Sequence, residues 1–432
     1  MAATPIVDPP ASSLRKKQGF FRRFLERPQQ LWLRKVFFQI HLWAGILLAL
    51  YVIAIGISGS ILVFKEELMP KPHVSIGKLD YNACTAAQIN RAIDLANTAI
   101  PGMKAFLASC PTPANGLFTI TVRTEPKHSP GGRGQQLRGT AEPQGPRQKL
   151  AQRTVYVHPQ TWQVVGTADR EASWLETVEQ FHVNLLLGRN GRLWNGIGAS
   201  ILLLLAFTGI VLWWPGIRNW TRGLKVDFRK SWKRINWDLH SVMGFWTLFF
   251  TLTWALTGMY FTWPKLFTTP ITKFTHITTA SYPGPQMREA AKRPPIQDAP
   301  LNVTAMIEEA QRQSPRGHLE GVFYGTGPRP IFTIYMAKGV MGDYSNADFV
   351  YFDQRSNTCL YAWHRGDNHT LGDWLIWLIA PLHFGTTWGQ AAKVLWAMLG
   401  LVLPALTVTG LMMYWNRWLS KRWTKTLFAK SR

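Results

Sequence analysis

Long apolar runs alternate with polar blocks along this chain. A bilayer core about 30 Å thick is crossed by about 20 helical residues. Four runs meet that length: 36–64, 193–214, 241–263 and 394–415. All four contain Ser, Thr or Gly, which let membrane helices approach one another closely. Pro404 is the one visible helix breaker inside a run. Two long polar segments, 65–192 and 264–393, follow a common order. In the first, a helical stretch (85–100) leads through Pro101-Gly102 to the strand-like "GLFTITVRT" and "RTVYVHPQTWQVVG". The latter is two alternating runs around a polar turn, a hairpin signal. Between these pieces, 125–152 is rich in Gly, Pro, Arg and Gln and reads as a flexible loop. In the second, helical 303–313 precedes Pro315, then "HLEGVFYG", "PIFTIYMAKG" and "DFVYFDQRSNTCLYA".

Charge orients these pieces. The chain has 432 residues and a formal charge of +24, and 21 Lys or Arg face only four acids in 1–35, 215–238 and 416–432. Basic residues crowding one side of every span follow the positive-inside rule. That distribution excludes a nucleic-acid binder and predicts a bacterial inner-membrane protein with both termini cytoplasmic. The predicted plan is a basic arm (1–35), span 36–64, outer module 65–192, span 193–214, cytoplasmic loop 215–240, span 241–263, outer module 264–393, span 394–415 and a basic tail (416–432). The first run is too long for a signal-peptide core and reads as a retained span. The 21 Trp fit interfacial anchoring. Cys84, Cys110 and Cys359 form no zinc spacing. Cys84 and Cys110 lie on the outer side, where they can pair or remain thiols.

An internal duplication spans about 200 residues. His41 is followed at 4, 17 and 18 residues by Gly45, Ser58 and Gly59; His240 is followed at the same offsets by Gly244, Thr257 and Gly258. His182 precedes Thr208, Gly209 and Trp214 by 26, 27 and 32 residues, and His383 precedes Thr409, Gly410 and Trp415 identically. The expected fold is thus four transmembrane helices in two pseudo-symmetric halves, each with a small periplasmic α+β module ending in an interfacial helix.

Histidine within a membrane is costly unless paired or liganded. His41 and His240 each stand six residues past a basic residue, about 9 Å along a helix. Both belong near the inner face, and His182 and His383 near the outer face. An axis relating the halves can bring His41 to His240 and His182 to His383. Opposed imidazoles suit bis-histidine haem. Gly45 and Gly244, one turn from their histidines, can admit a flat porphyrin or serve close helix packing. Zinc or copper is disfavoured because no Cys, Asp, Glu or Met repeats beside the histidines. A proton relay would recruit buried carboxylates, and the span interiors carry none. His73, His276, His364 and His369 have no assigned role. His128, His158 and His318 read as surface residues of the modules.

The stretches "INWDLHSVMGFWTLFFTLTWALTGMYF" and "PLHFGTTWGQAAKVLWAMLGLVLPALTVTGLMMYWNR" resemble the PepSY-associated transmembrane family. "TVYVHPQTWQVVG" resembles the closing hairpin of a PepSY module, with His158 and Trp162 where such modules usually carry Asp and Gly. The resemblance covers about 35–415. It implies two b-type haems, one held by His41 and His240 and one by His182 and His383. It further implies reduction of a ferric chelate, such as a ferric siderophore, in iron acquisition. Quinol or a separate cytoplasmic donor must supply electrons, since the inner segments cannot fold a flavin or nicotinamide domain and carry no dinucleotide fingerprint. A transporter for iron, haem or siderophore and a PepSY-type sensor or peptidase regulator without redox activity are the alternatives.

Overall fold

The computed structural model describes residues 20–124, 151–169, 173–280, 282–284, 299–325, 330–339, 345–385 and 387–419. The outer part of the basic arm, most of the 125–152 loop with His128, and the tail beyond 419 lie outside the described residues. The chain divides into two compact units, one of 1–53, 200–252 and 402–432, the other of 54–199 and 253–401.

Thirteen described helices are numbered here. They are α1 (Phe20–Glu26), α2 (Trp32–Leu62), α3 (Lys65–Leu68), α4 (Ala86–Ala99), α5 (Trp174–Asn184), α6 (Gly188–Trp213), α7 (Trp232–Trp246), α8 (Leu248–Thr262), α9 (Pro264–Ile271), α10 (Val303–Gln313), α11 (Leu371–Trp377), α12 (Ile379–Phe384) and α13 (Gly389–Tyr414). Helices α2, α6 and α13 are each long and apolar enough to cross a membrane. The third predicted span is instead the pair α7 and α8, bent by 61°. The break falls at Thr247, where no proline stands. Its hydroxyl donates to the Met243 carbonyl at 2.7 Å, and Thr251 repeats this toward Thr247 at 3.1 Å. The same back-bond occurs at Thr208 and Thr409 inside unbroken helices, so it accompanies the bend and does not by itself produce it. Pro404, the expected breaker, lies inside the unbroken α13.

The two predicted outer modules merge. Strands β1 (Met103–Ser109), β2 (Phe118–Thr124), β3 (Gln152–Val157), β4 (Val164–Asp169), β5 (His318–Tyr324), β6 (Ile331–Ala337), β7 (Ala347–Asp353) and β8 (Cys359–His364) form one antiparallel sheet ordered β4-β3-β2-β1-β5-β6-β7-β8. The seam is β1 against β5, with Ala108 opposite Val322 and Ser109 opposite Gly321. A Cβ on Gly321 would stand 2.6 Å from the Ala108 carbonyl, so only glycine allows this approach. Helices α4 and α10 cover one face and share a core of Ile89, Ile93, Phe118, Val155, Met306, Phe332 and Phe352. Thr85 starts α4 with a reciprocal capping box to Gln88, and Asn302 caps α10 by accepting from the Ala305 amide. Fusing the modules removes the two edge strands that separate sheets would expose.

Cys84 and Cys110 are joined as a disulfide, fastening the start of α4 to the end of β1, while Cys359 is free. Restricting the unfolded chain in this way contributes about 2–4 kcal/mol. Cys84→Ser with Cys110→Ser is therefore expected to lower the thermal midpoint of the sheet unit in detergent, and reductant to do the same to the unaltered protein. A midpoint insensitive to both would contradict this.

Candidate functional site

Each unit contains one histidine pair. In one, His41 on α2 faces His240 on α7, with ring centroids 6.3 Å apart and planes at 88°. In the other, His182 on α5 faces His383 on α12 at 6.3 Å and 60°. An imidazole bonds a metal at about 2.0 Å and its centroid lies about 1 Å behind the nitrogen, so two rings sharing an ion in line stand about 6 Å apart.

The rings are held by the hydroxyls of the duplicated motif. His41 Nδ1 lies 3.0 Å from Thr208 Oγ1 and His240 Nδ1 3.0 Å from Thr409 Oγ1. His182 Nδ1 lies 3.0 Å from Ser58 Oγ and His383 Nδ1 2.7 Å from Thr257 Oγ1. Each hydroxyl gives its single proton to a carbonyl of its own helix: Thr208 to Leu204, Thr409 to Ala405, Ser58 to Ile55 and Thr257 to Thr253. The hydroxyl oxygens therefore accept, and each Nδ1 carries hydrogen. His240 confirms the tautomer independently, because its Nδ1 also meets the Leu406 carbonyl at 3.0 Å, and a carbonyl can only accept. Every Nε2 is left as a bare lone pair with no hydrogen-bond partner among the described residues. Burial pushes the His182 imidazole down to about 4 and His383 down to about 3, which keeps both neutral.

In each pair the 6.3 Å between ring centroids suits a cation held between two imidazoles. Among the described residues, no His, Cys, Asp or Glu joins either pair within coordinating distance. Zinc needs about four protein ligands in a structural site. A donor set of two imidazoles in line fits an iron that brings its own equatorial nitrogens, as haem does. The glycines divide into two uses. A Cβ on Gly59 would stand 2.9 Å from His182 Cε1, and Cβ atoms on Gly209 and Gly410 would stand 3.4 and 3.3 Å from the His41 and His240 Cε1 atoms. These three make room for the rings. Gly45 and Gly244 meet only Leu205 at 3.8 Å and Leu406 at 3.7 Å. Protein packing does not demand glycine there, so the space beside each histidine stays open to a flat group.

The remaining candidates disperse. His73, His276 and His369 are exposed. His364 lies 3.2 Å from Asp348, which Lys338 also pairs at 2.9 Å. His318 opens β5, partly buried. His158 corrects the surface expectation: it is buried. Its Nδ1 accepts from the Gln160 and Thr161 amides, and its Nε2 donates to the Ser75 carbonyl at 3.2 Å. It performs the turn-closing work of an aspartate. Trp162 sits at φ 59°, the left-handed region glycine favours, and stacks on Phe118 at 5.5 Å with Arg91 above it. Trp213 stacks on Phe245 and Trp363 is buried in the sheet, while Trp374 and Trp388 are exposed. The sequence reading missed Asp238, a buried carboxylate two residues before His240 that Arg234 pairs at 3.0 Å. It also missed Asp373, which no hydrophobic pattern marks.

The PepSY-associated TM region family matches residues 38–417. The chain belongs to that family. It is accordingly a membrane protein, and its apolar helices agree. None of the curated proteins compared with it matches.

Asp373 anchors the segment after α9 to α11. It accepts from the Thr278 amide and hydroxyl, the Ala280 amide and the Thr370 amide. Burial opposes its charge, but these bonds prevail and hold its carboxyl down to about 2. Because the folded value lies below the ordinary one, its stabilisation is complete above about pH 4 and is lost as pH falls through about 2. Asp373→Ala, which orphans several donors, should destabilise the sheet unit by about 2–4 kcal/mol in thermal or proteolytic unfolding. A loss under about 0.5 kcal/mol would count against this anchoring.

Proposed function

We propose that this protein carries electrons across a bacterial inner membrane through two b-type haems and reduces a periplasmic ferric chelate, with a ferric siderophore as the natural substrate class. The observation that carries the reading is the repeated site: two imidazoles with ring centroids 6.3 Å apart, each held at Nδ1 by a hydroxyl, in both units. In this reading the bent α7–α8 pair is the third of four spans, and the basic segments place both termini in the cytoplasm. One haem is held by His41 and His240, the other by His182 and His383.

Haem b bound at each pair supplies one-electron oxidation and reduction of its iron. The chain's own contribution is to hold the ligands. Thr208, Thr409, Ser58 and Thr257 fix the tautomer and ring rotation, and a hydrogen bond at Nδ1 raises the basicity of Nε2. Desolvation at His182 and His383 favours the neutral imidazole that a metal ligand requires. One-electron reduction of the chelated Fe(III) to Fe(II) releases the iron from its chelator, because hard oxygen donors hold Fe(III) better than Fe(II). The break at Thr247 is the feature a transporter reading would use, since discontinuous helices often line substrate sites.

The optical spectrum of the purified protein tests the proposal. A Soret band, a sharp α-band on reduction and two haems per chain are expected. His182→Ala and His383→Ala should each abolish the same spectral component, and His41→Ala and His240→Ala the other. Thr409→Val, which removes an acceptor from the His240 Nδ1 and so makes that imidazole a weaker donor, should retain haem but raise its potential measurably in a redox titration. A preparation that stays colourless after haem supplementation would refute the reading, and four separable losses would refute the pairing.

A further inference from the structure

The repeat extends past the anchors read from the sequence. Asn195 on α6 stands 13 residues after His182, and Trp396 on α13 stands 13 residues after His383. Both positions belong to one compact unit. The group these two side chains have in common is an N–H donor. Each gives that donor to the backbone beside its histidine. Asn195 Nδ2 donates to the His182 carbonyl at 2.7 Å and to the Val183 carbonyl at 3.2 Å. Trp396 Nε1 donates to the Leu382 carbonyl at 3.0 Å.

A helix end leaves its last four carbonyls without partners inside the helix. In α5 these belong to Phe181, His182, Val183 and Asn184. The Leu185 amide reaches the Phe181 carbonyl at 2.8 Å, and the Leu187 amide reaches that of Asn184 at 2.9 Å. His182 and Val183 fall between them, and Asn195 serves both. Its amide nitrogen carries two hydrogens, enough for the pair. In α12 the Gly385 amide takes the Pro381 carbonyl at 2.8 Å, and the Trp396 indole takes the next one.

Size is compensated between the halves. Gly385 holds φ 66°, and a Cβ there would run into the Trp396 ring. Counted from the histidines, its counterpart is Asn184, in the half where the smaller Asn195 stands. A large donor with glycine and a small donor with asparagine thus reach the same end. Ring and backbone are held separately. Ser58 holds the His182 ring at 3.0 Å and Thr257 the His383 ring at 2.7 Å, while Asn195 and Trp396 hold the main chain that carries them. An imidazole's direction needs both, because a bond to the ring alone leaves its Cα free to shift.

We propose that Asn195 and Trp396 are positioning residues for the His182 and His383 imidazoles; their bearing on a ligated iron rests on the haem reading above. They act through the backbone and not on the iron. Each ties the helix end that carries a histidine to the helix that follows. Nε2 then keeps its place while the hydroxyl holds Nδ1. Outer partners of this kind change metal affinity about 10–100-fold.

The full chain in lipid nanodiscs is compared with three variants. Asn195→Leu keeps the size and removes the donors, Asn195→Gln keeps the donors on a longer arm, and Trp396→Phe keeps an aromatic ring without its N–H. The electron paramagnetic resonance of low-spin ferric haem follows the angle between its two imidazoles. Asn195→Leu and Trp396→Phe should shift and broaden the component that His182→Ala abolishes and leave the other component unchanged. Transfer of that haem to apomyoglobin should quicken about tenfold. Asn195→Gln should recover part of both effects. A lower thermal midpoint with resonance and transfer unchanged means helix capping alone and overturns the proposal, as does an equal change in the two components. If Asn195→Leu does not insert, Trp396→Phe decides. An unaltered protein that is colourless fails the haem reading alone, and the histidine nitrogen resonances then decide. One tautomer in the unaltered protein and a mixture in the variants supports positioning; identical resonances overturn it.

Discussion

A hydroxyl that can give its proton only to its own helix must accept from whatever else it meets. At four places in this protein, what it meets is an imidazole. The bond at Nδ1 then decides which nitrogen is left bare and where that nitrogen points. A ring free to rotate in an apolar setting would have either nitrogen available and no fixed direction. The Ser/Thr-Gly pairs of the duplicated motif thus act together: the hydroxyl orients a ring, and at Gly59, Gly209 and Gly410 the neighbouring glycine leaves space for it. Exchanging a hydroxyl for an alkyl group would retain the imidazole yet surrender its orientation.

Duplication supplied the scaffold, and departures from duplication mark where the halves took separate duties. Bulges recur at corresponding places, near Phe106 in β1 and Glu320 in β5. The disulfide exists only in the first half, and Cys359 has no partner cysteine. Asn236 bonds a carbonyl where Phe37 walls a cavity. Joining β1 to β5 makes the repeat a single eight-stranded sheet, so the two modules share one core.

The closing hairpin shows how a motif can persist without its residues. His158 collects the backbone amides that an acidic side chain would, and Trp162 accepts an unfavourable backbone angle, offset by its stack on Phe118 and Arg91. Hydrogen-bond geometry and aromatic contact, rather than identity, keep the turn.

The sequence by itself determined the membrane character, the apolar helices, the duplicated spacing and the four histidines, because hydropathy and periodicity are local properties written along the chain. Tertiary structure alone decided how close the paired histidine rings stand, that Ser58, Thr208, Thr257 and Thr409 hold them, and that two modules become one sheet. It also decided the bend at Thr247, which no proline in the sequence marks. Burial of His158, Asp238 and Asp373 was likewise hidden. A polar residue is buried when partners from distant parts of the chain satisfy it, and no spacing along the chain records which partners will arrive.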